Sequence, residues 1–289
     1  MQDRGQAVVT LIVPIKHVAA ELGLNLHQID TFRNWYPPKS INLVIAVSFG
    51  LLVPARILNG AQYGGLNVHP SLLPDLRGPA PIIHTLLKRR SHTGLTLQTM
   101  HPTQFDHGTI LAQTQSPGTP VPADSTPDSL LDILGPLGAE LLCRGIDDAT
   151  FVPPVKDVRA DFAEAKHVDH APKVTPEDRR INWTTLTSDE ILLRDRVLGR
   201  LWDNKTYSEC LPHRSPKRVT FQGPWHTLDH SGAPFTAGTP LTVHGSDSKA
   251  ASLAIMTSDG KAISPASVTV EGERKGNGVK ALLNGLVGG

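Results

Sequence analysis

Two polar side chains, Asn67 and His69, lie two positions apart in the segment GLNVH, which follows a glycine-rich turn. In a β-strand, residues i and i+2 point to the same face, so both side chains would project together. A proline-punctuated loop begins directly after His69, which places the pair at the carboxyl end of the strand. Open α/β sheets bind their ligands at such strand ends. This segment is therefore the first candidate for a functional site.

Each candidate also has a purely structural interpretation. An Asn and a His at a strand end commonly bond to the local backbone, and Asp106, in the segment QFDHG, has the position of a turn aspartate. Ser71 fits an ordinary loop, and Arg77 fits a solvated surface charge. Composition and spacing do not decide between these interpretations.

The composition and motifs exclude several function classes. The formal net charge is only +1, so overall charge gives no support for nucleic-acid binding. No apolar run approaches the length of a membrane span. The sequence contains no GxGxxG, Walker, GxSxG or HExxH motif, so dinucleotide, NTP, serine-hydrolase and zinc-protease chemistry is not supported. Cys143 and Cys210 match no metal or redox spacing.

Strand and helix signals alternate around the candidate site. The apolar run at residues 41–49 is typical of a central parallel strand buried on both faces. Strands are also predicted at 7–13, 24–29, 94–100 and 109–113, and helices at 14–22 and 81–90. Thr126 begins a longer helix as its N-cap, and Gly135-Pro136 should kink or split that helix. The alternation predicts an α/β layer with a mostly parallel sheet.

The C-terminal part has a different pattern. After an aperiodic stretch, a capping box at Thr187–Glu190 begins a helix that extends to about Trp202. Short β-like runs follow at 241–244, 252–257 and 263–269, with a turn signal at Asp259-Gly260 and a last short helix at 281–286. This pattern predicts a small, mostly β barrel.

Several motifs in fixed order carry a resemblance to a known family. NVHPSLLP at 67–74, RG at 77–78 and DHG at 106–108 resemble the signature of folate-dependent formyltransferases. APKV at 171–174 and INW at 181–183 are similar to the pair that opens the second domain of methionyl-tRNA formyltransferases. The resemblance covers nearly the whole chain, which is therefore identified as a divergent member of the methionyl-tRNA formyltransferase family.

The resemblance implies an organisation in two domains. A Rossmann-like, mostly parallel α/β domain of the formyltransferase fold would occupy residues 1–155, a linker 156–175, and an OB-like β-barrel that contacts tRNA 176–289. In the family, a first strand, a second strand and a basic loop precede the segment that residues 14–29 resemble. We therefore expect the catalytic domain to be truncated, with its first strand or strands missing.

The implied reaction transfers a formyl group from the co-substrate 10-formyltetrahydrofolate to the amino group of methionyl-initiator tRNA, without a metal. By resemblance, Asn67 and His69 would stabilise the oxyanion, and Asp106 would orient His69 and favour its charged form. The implied folate-lining residues are Ser71, Leu72, Leu73 and Pro74, and the predicted tRNA contacts are Arg194, Arg196, Arg200 and Lys205. For the four basic residues, a solvated helix face is the alternative.

Two positions depart from the family pattern, and two alternatives stay open. Asp75 stands where a basic residue is usual, and Asn182 replaces an aspartate. One alternative is another folate-dependent enzyme, with glycinamide ribonucleotide, an amino sugar or water as acceptor. The other is a catalytically inactive, truncated remnant. We expect a monomer without a membrane partner, located in mitochondria if the source is eukaryotic and in the cytoplasm if it is bacterial.

Overall fold

The computed structural model describes residues 14–159, 168–228, 236–244 and 251–287. The strand predicted at 7–13 lies outside these ranges. Within them, no helix combines the length and apolar character needed to cross a membrane.

The described residues form two larger sheets and a two-stranded sheet of β3 and β6, together with helices. The N-terminal elements are α1 (Pro14–Glu21), β1 (Val44–Ala46), α2 (Ala55–Leu58), β2 (Gly65–His69), α3 (Pro81–Leu87), β3 (His92–Thr93), β4 (Thr96–Thr99), β5 (Ile110–Gln113), β6 (Thr119–Pro120) and α4 (Pro127–Asp147). The C-terminal elements are α5 (Ser188–Leu198), β7 (Leu201–Asp203), α6 (Lys205–Cys210), β8 (Val219–Leu228), β9 (Pro240–His244), β10 (Ala251–Met256), β11 (Ala262–Val270) and α7 (Gly278–Val287).

The first sheet is mixed, so the prediction of a mostly parallel sheet is wrong for the described strands. Its order is β1-β2-β4-β5, and only β1 and β2 pair in parallel. The pairs β2–β4 and β4–β5 are antiparallel. A parallel pair needs a long crossover, whereas β4 and β5 are joined by a short turn that permits only antiparallel pairing.

Strand β1 is shorter and more exposed than predicted. The run at 41–49 was expected to be buried on both faces, but only Val44–Ala46 pair with β2, and Ile45 and Val47 are 44% and 53% exposed. No described strand pairs with the second edge of β1, and within the strand Ile45 is exposed whereas Ala46 is buried. The strand predicted at 24–29 does not form.

The site-bearing strand β2 is held from behind by α4. Leu66 and Val68 belong to the same buried cluster as Leu130 and Leu134 of α4. Alternation along β2 therefore turns Asn67 and His69 to the opposite face. Thr126 caps α4 as predicted, and α4 continues through Pro136 as a single helix.

The C-terminal sheet has five antiparallel strands in the order β7-β8-β11-β10-β9. Its end strands β7 and β9 do not pair with each other, so a closed OB-like barrel is not confirmed. Strands β9, β10 and β11 and helix α7 match the predicted segments, whereas β7, α6 and β8 were not predicted. Asn182 still serves as an acceptor, since its Oδ1 takes hydrogen bonds from the backbone and hydroxyl of Thr184.

The end of the predicted linker is bonded to the loop after β2. The Leu76 amide donates to the Asp169 carbonyl over 2.8 Å, and the Ala171 amide donates to the Arg77 carbonyl over 2.7 Å. The Asp75 carboxylate accepts from the Asp169 amide at 2.9 Å and pairs with Arg90 at 3.3 Å. This family departure at position 75 therefore has a structural role. The domain boundaries themselves stay predictions.

Candidate active site

Strand register and one turn bring Asn67, His69 and Asp106 together. Asn67 lies between Ala46 of β1 and Gln98 of β4, its two cross-strand neighbours. Asp106 lies in the turn between β4 and β5, as predicted, with a left-handed backbone φ of 56°. The turn returns the carboxylate to the face of β2 from which His69 projects.

His69 is 5% exposed and contacts an oxygen on each side of its ring. Its Nδ1 lies 3.3 Å from Asp106 Oδ1, and its Nε2–H donates to the Leu76 carbonyl over 3.0 Å. Burial lowers the pKa of His69 below 6.5, although the charge of Asp106 and the Leu76 carbonyl act in the opposite direction. Asp106 thus offers a charge partner to a ring that burial alone would keep neutral.

Two donors and the His69 ring converge on the Asp106 carboxylate. Oδ1 accepts from Gln98 at 3.0 Å and faces His69, while Oδ2 accepts the Gly78 amide at 2.9 Å. The Asp106 carbonyl accepts from Arg77 Nε at 2.9 Å. Arg77 is therefore part of the site and not only a solvated charge. These contacts match an ionised carboxylate, which offers acceptors only.

Asn67 keeps one hydrogen-bond donor free. Its Nδ2 donates to the Ala46 carbonyl at 3.1 Å, and its Oδ1 accepts from Gln98 Nε2 at 3.1 Å. The second Nδ2–H has no acceptor within the described ranges. Asn67, Gln98 and Asp106 line an open cleft with a cavity volume of about 40 Å³, and Phe49 and Phe105 line the same cleft. The cleft therefore combines amide and carboxylate groups with aromatic side chains.

Sequence reasoning missed Gln98. The residue is 2% exposed and contacts both Asn67 and Asp106. The predicted alternation of β4 was the available signal, since a polar side chain on a buried strand face needs polar partners. Identifying those partners required the register between β2 and β4.

The predicted folate-lining residues lie elsewhere in the loop. Ser71 and Leu73 are buried, and the Leu73 amide and carbonyl are bonded to Thr96 and Gln113 at 3.1 and 2.9 Å. None of Ser71, Leu72, Leu73 and Pro74 lines the cleft described above. Their role in folate binding stays a prediction.

The four predicted tRNA contacts do not share a partner. Arg194, Arg196, Arg200 and Lys205 donate, in that order, to the Asp178 carbonyl, the Ala123 carbonyl, Gln222 Oε1 and the Ala237 carbonyl. Arg196 thereby bonds the second part of the chain to the first. Their tRNA role stays a prediction. Across the described residues, no group of three His, Cys, Asp or Glu side chains could hold a metal ion.

The chain has recognisable relatives. Residues 27–144 match the family described as Formyl transferase. The mitochondrial methionyl-tRNA formyltransferase of Saccharomyces cerevisiae is 38% identical over 177 residues, which are 55% of this chain and 43% of that protein. The methionyl-tRNA formyltransferase of Caldicellulosiruptor saccharolyticus is 31% identical over 195 residues, 65% of this chain and 59% of that protein.

A solved structure, HypX from Aquifex aeolicus with tetrahydrofolic acid, is 17% identical with a TM-score of 0.47, covering 81% of this chain and 36% of that chain. That likeness carries no argument about function. The chain spans about half the length of the curated relatives that it matches. Residues 27–144, which contain Asn67, His69 and Asp106, therefore match the formyl transferase family, and the chain is similar to methionyl-tRNA formyltransferases over part of its length.

Proposed function

We propose that the chain transfers a formyl group from 10-formyltetrahydrofolate to the amino group of methionyl-initiator tRNA. The observation that carries the proposal is the bonded group of Asn67, His69 and Asp106 beside an open cleft that Phe49 and Phe105 also line. The relatives support the choice of acceptor. The sequence resemblance supports folate as the donor.

In this reaction the amine nitrogen attacks the formyl carbon, and the carbonyl electron pair moves to oxygen. The resulting tetrahedral oxyanion collapses, the bond to folate N10 breaks, and the amine proton is transferred to N10. The free Nδ2–H of Asn67 is the donor available to the oxyanion. One such donor contributes about 10²–10³ in rate.

His69 supplies the second donor in this mechanism. Its Nε2–H is bonded to the Leu76 carbonyl, and the formyl oxygen replaces that carbonyl when substrate binds. Asp106 holds the opposite ring nitrogen and stabilises the imidazolium while negative charge develops on the substrate. The Asp106 carboxylate also assists removal of the amine proton.

The tRNA portion of the acceptor contacts the second part of the chain in this proposal, through Arg194, Arg196, Arg200 and Lys205. Contacts to phosphates release counterions, so tRNA affinity should fall steeply with salt. Binding that is unchanged between low and moderate salt would remove this part of the proposal. Following the yeast relative's printed name, we assign the chain to mitochondria if its source is eukaryotic.

The test is a transfer assay with the purified chain, 10-formyltetrahydrofolate and one acceptor at a time. The acceptors are methionyl-initiator tRNA, glycinamide ribonucleotide, a nucleotide-linked amino sugar and water. We expect formylation of the tRNA only. Asn67→Ala should lower kcat by about 10²–10³, whereas Asn59→Ala, at an exposed helix end, should match the wild type.

Two results would contradict the proposal. One is release of tetrahydrofolate with any acceptor other than the tRNA, or with none of the four. The other is a wild-type kcat in Asn67→Ala, because the proposed oxyanion donor would then be dispensable.

A further inference from the structure

The side chain of Gln98 lies between the two halves of the proposed centre. Gln98 on β4 is directly opposite Asn67 on β2, so the two side chains share one face of the sheet. Gln98 is 2% exposed, so its hydrogen-bond partners are protein groups and not solvent. The register of β4 and β5 shifts between Leu97 and Gln98, and such bulges redirect side chains.

Every polar atom of the Gln98 carboxamide is used. Nε2 donates to Asn67 Oδ1 at 3.1 Å and to Asp106 Oδ1 at 3.0 Å. Oε1 accepts the Gly108 amide at 3.2 Å. A reversed carboxamide would turn its oxygen to the Asp106 carboxylate and its NH₂ group to the Gly108 N–H. Only one orientation therefore satisfies all three neighbours.

This fixed orientation determines which atom of Asn67 faces the cleft. Asn67 Oδ1 must accept from Gln98, and Nδ2 must donate to the Ala46 carbonyl. A reversed Asn67 would place two donors against each other on one side and two acceptors on the other. The free Nδ2–H of Asn67 is therefore held as a donor toward the cleft, where the formyl oxygen would develop its charge.

The same side chain restrains Asp106. Gln98 and His69 both face Oδ1, which leaves Oδ2 for the Gly78 amide. Loss of the Gln98 donor would free the carboxylate to turn about its side-chain bond. The distance and direction of the His69–Asp106 contact then become variable.

We propose that Gln98 is a positioning residue that holds Asn67 as an oxyanion donor and Asp106 in register with His69. This inference rests on the proposed function, since Gln98 acts on the reaction only through these residues. Methionine is the informative replacement, because Gln98→Met keeps the length of the side chain and removes all three hydrogen bonds.

The experiment combines kinetics with NMR on the full chain. Gln98→Met should lower kcat for formyl transfer at least about tenfold, while the KM for 10-formyltetrahydrofolate changes less than about threefold. In an Asn67→Ala background, Gln98→Met should remove less than about threefold more, because much of its effect passes through Asn67. The His69 ring ¹⁵N signals should also move in Gln98→Met.

The matched control is Thr257→Val in the C-terminal sheet. Thr257 is fully buried and donates to Asp259 and to the Lys261 carbonyl. Its loss tests general destabilisation and should leave both kcat and the His69 signals unchanged. Thermal unfolding of both variants shows whether their stabilities are comparable.

The outcomes separate the two proposals. Unchanged His69 signals in Gln98→Met, or kinetic losses that simply add to those of Asn67→Ala, overturn the role of Gln98. Displaced His69 signals in a chain without formyl transfer support the positioning role and overturn the proposed function. Absence of both effects overturns both proposals.

Discussion

Replacement of Asp106 by asparagine tests the central contacts of the site. Asparagine has nearly the same shape but offers one acceptor oxygen and an NH₂ group, whereas two donors and the His69 ring face the carboxylate. If the oxygen stays toward Gln98 and His69, the NH₂ group meets the Gly78 amide and leaves that donor unsatisfied. The opposite orientation places the NH₂ group against Gln98 Nε2 and leaves that donor unsatisfied instead. In either case one unsatisfied part-buried donor costs about 1–3 kcal/mol of unfolding free energy.

The effect of Asp106→Asn on turnover should be larger than its effect on stability. The variant removes the negative charge beside His69, so the imidazolium loses its stabilising partner. We expect kcat for formylation of methionyl-tRNA to fall by about 10²–10⁴. Initial rates and urea unfolding measure the two quantities on the same preparation. Asp124→Asn, at an exposed position, is the control.

A rate within about threefold of the wild type would refute the reasoning, because the difference would be below about 0.7 kcal/mol. A large loss of rate in the control Asp124→Asn, with its unfolding free energy unchanged, would also refute the reasoning.

Three further predictions concern stability. Because the pKa of His69 is lowered in the folded chain, the unfolded chain binds more protons below pH 6.5, and the unfolding free energy falls as the pH falls there. His69→Gln should flatten this dependence of the unfolding free energy on pH, as measured by urea unfolding. An unchanged pH dependence contradicts the prediction. Gly108→Ala should lower the unfolding free energy by at least about 2 kcal/mol, because the added Cβ would lie 1.7 Å from a carbonyl oxygen of β4. Gly138→Ala in α4 should instead raise the unfolding free energy by about 0.5–1 kcal/mol. Equal melting temperatures of the two variants refute the comparison. Asp75→Ala should lower the unfolding free energy by about 1–2 kcal/mol, because it loses the hydrogen bonds to Arg90 and to the Asp169 amide of the linker. Asp75→Asn retains an acceptor and should lower the unfolding free energy less. Equal losses of unfolding free energy in urea contradict this prediction.

Local signals in the sequence predicted the local structure. The Thr126 N-cap, the Thr187 capping box and the turn at Asp259-Gly260 all form where their residues predicted them. The strand that carries Asn67 and the turn that carries Asp106 were also predicted. These features depend on residues a few positions apart, so a short window of sequence contains their determinants.

Features that depend on pairing between distant segments were not predictable in this way. The exposure of β1 depends on which distant segments pack against it. The contact of Gln98 with Asn67 joins residues that are 31 positions apart in the sequence. Strand β8 contains Gly223-Pro224, which normally indicates a turn. The register shift between Pro265 and Ser267 on β11 accommodates that dipeptide. The sequence of β8 alone does not predict this shift, because it depends on the pairing with β11.

The backbone of Leu76 has a consequence for how the two parts of the chain communicate. Leu76 adopts a φ of 57°, a left-handed conformation that is unfavourable for a side chain of this size. Its amide holds Asp169 of the linker, and its carbonyl holds His69. A single residue in an unfavourable backbone conformation therefore lies between two anchors. If a ligand displaced one anchor through this residue, thermodynamic linkage would make its coupling to the other anchor equal in both directions.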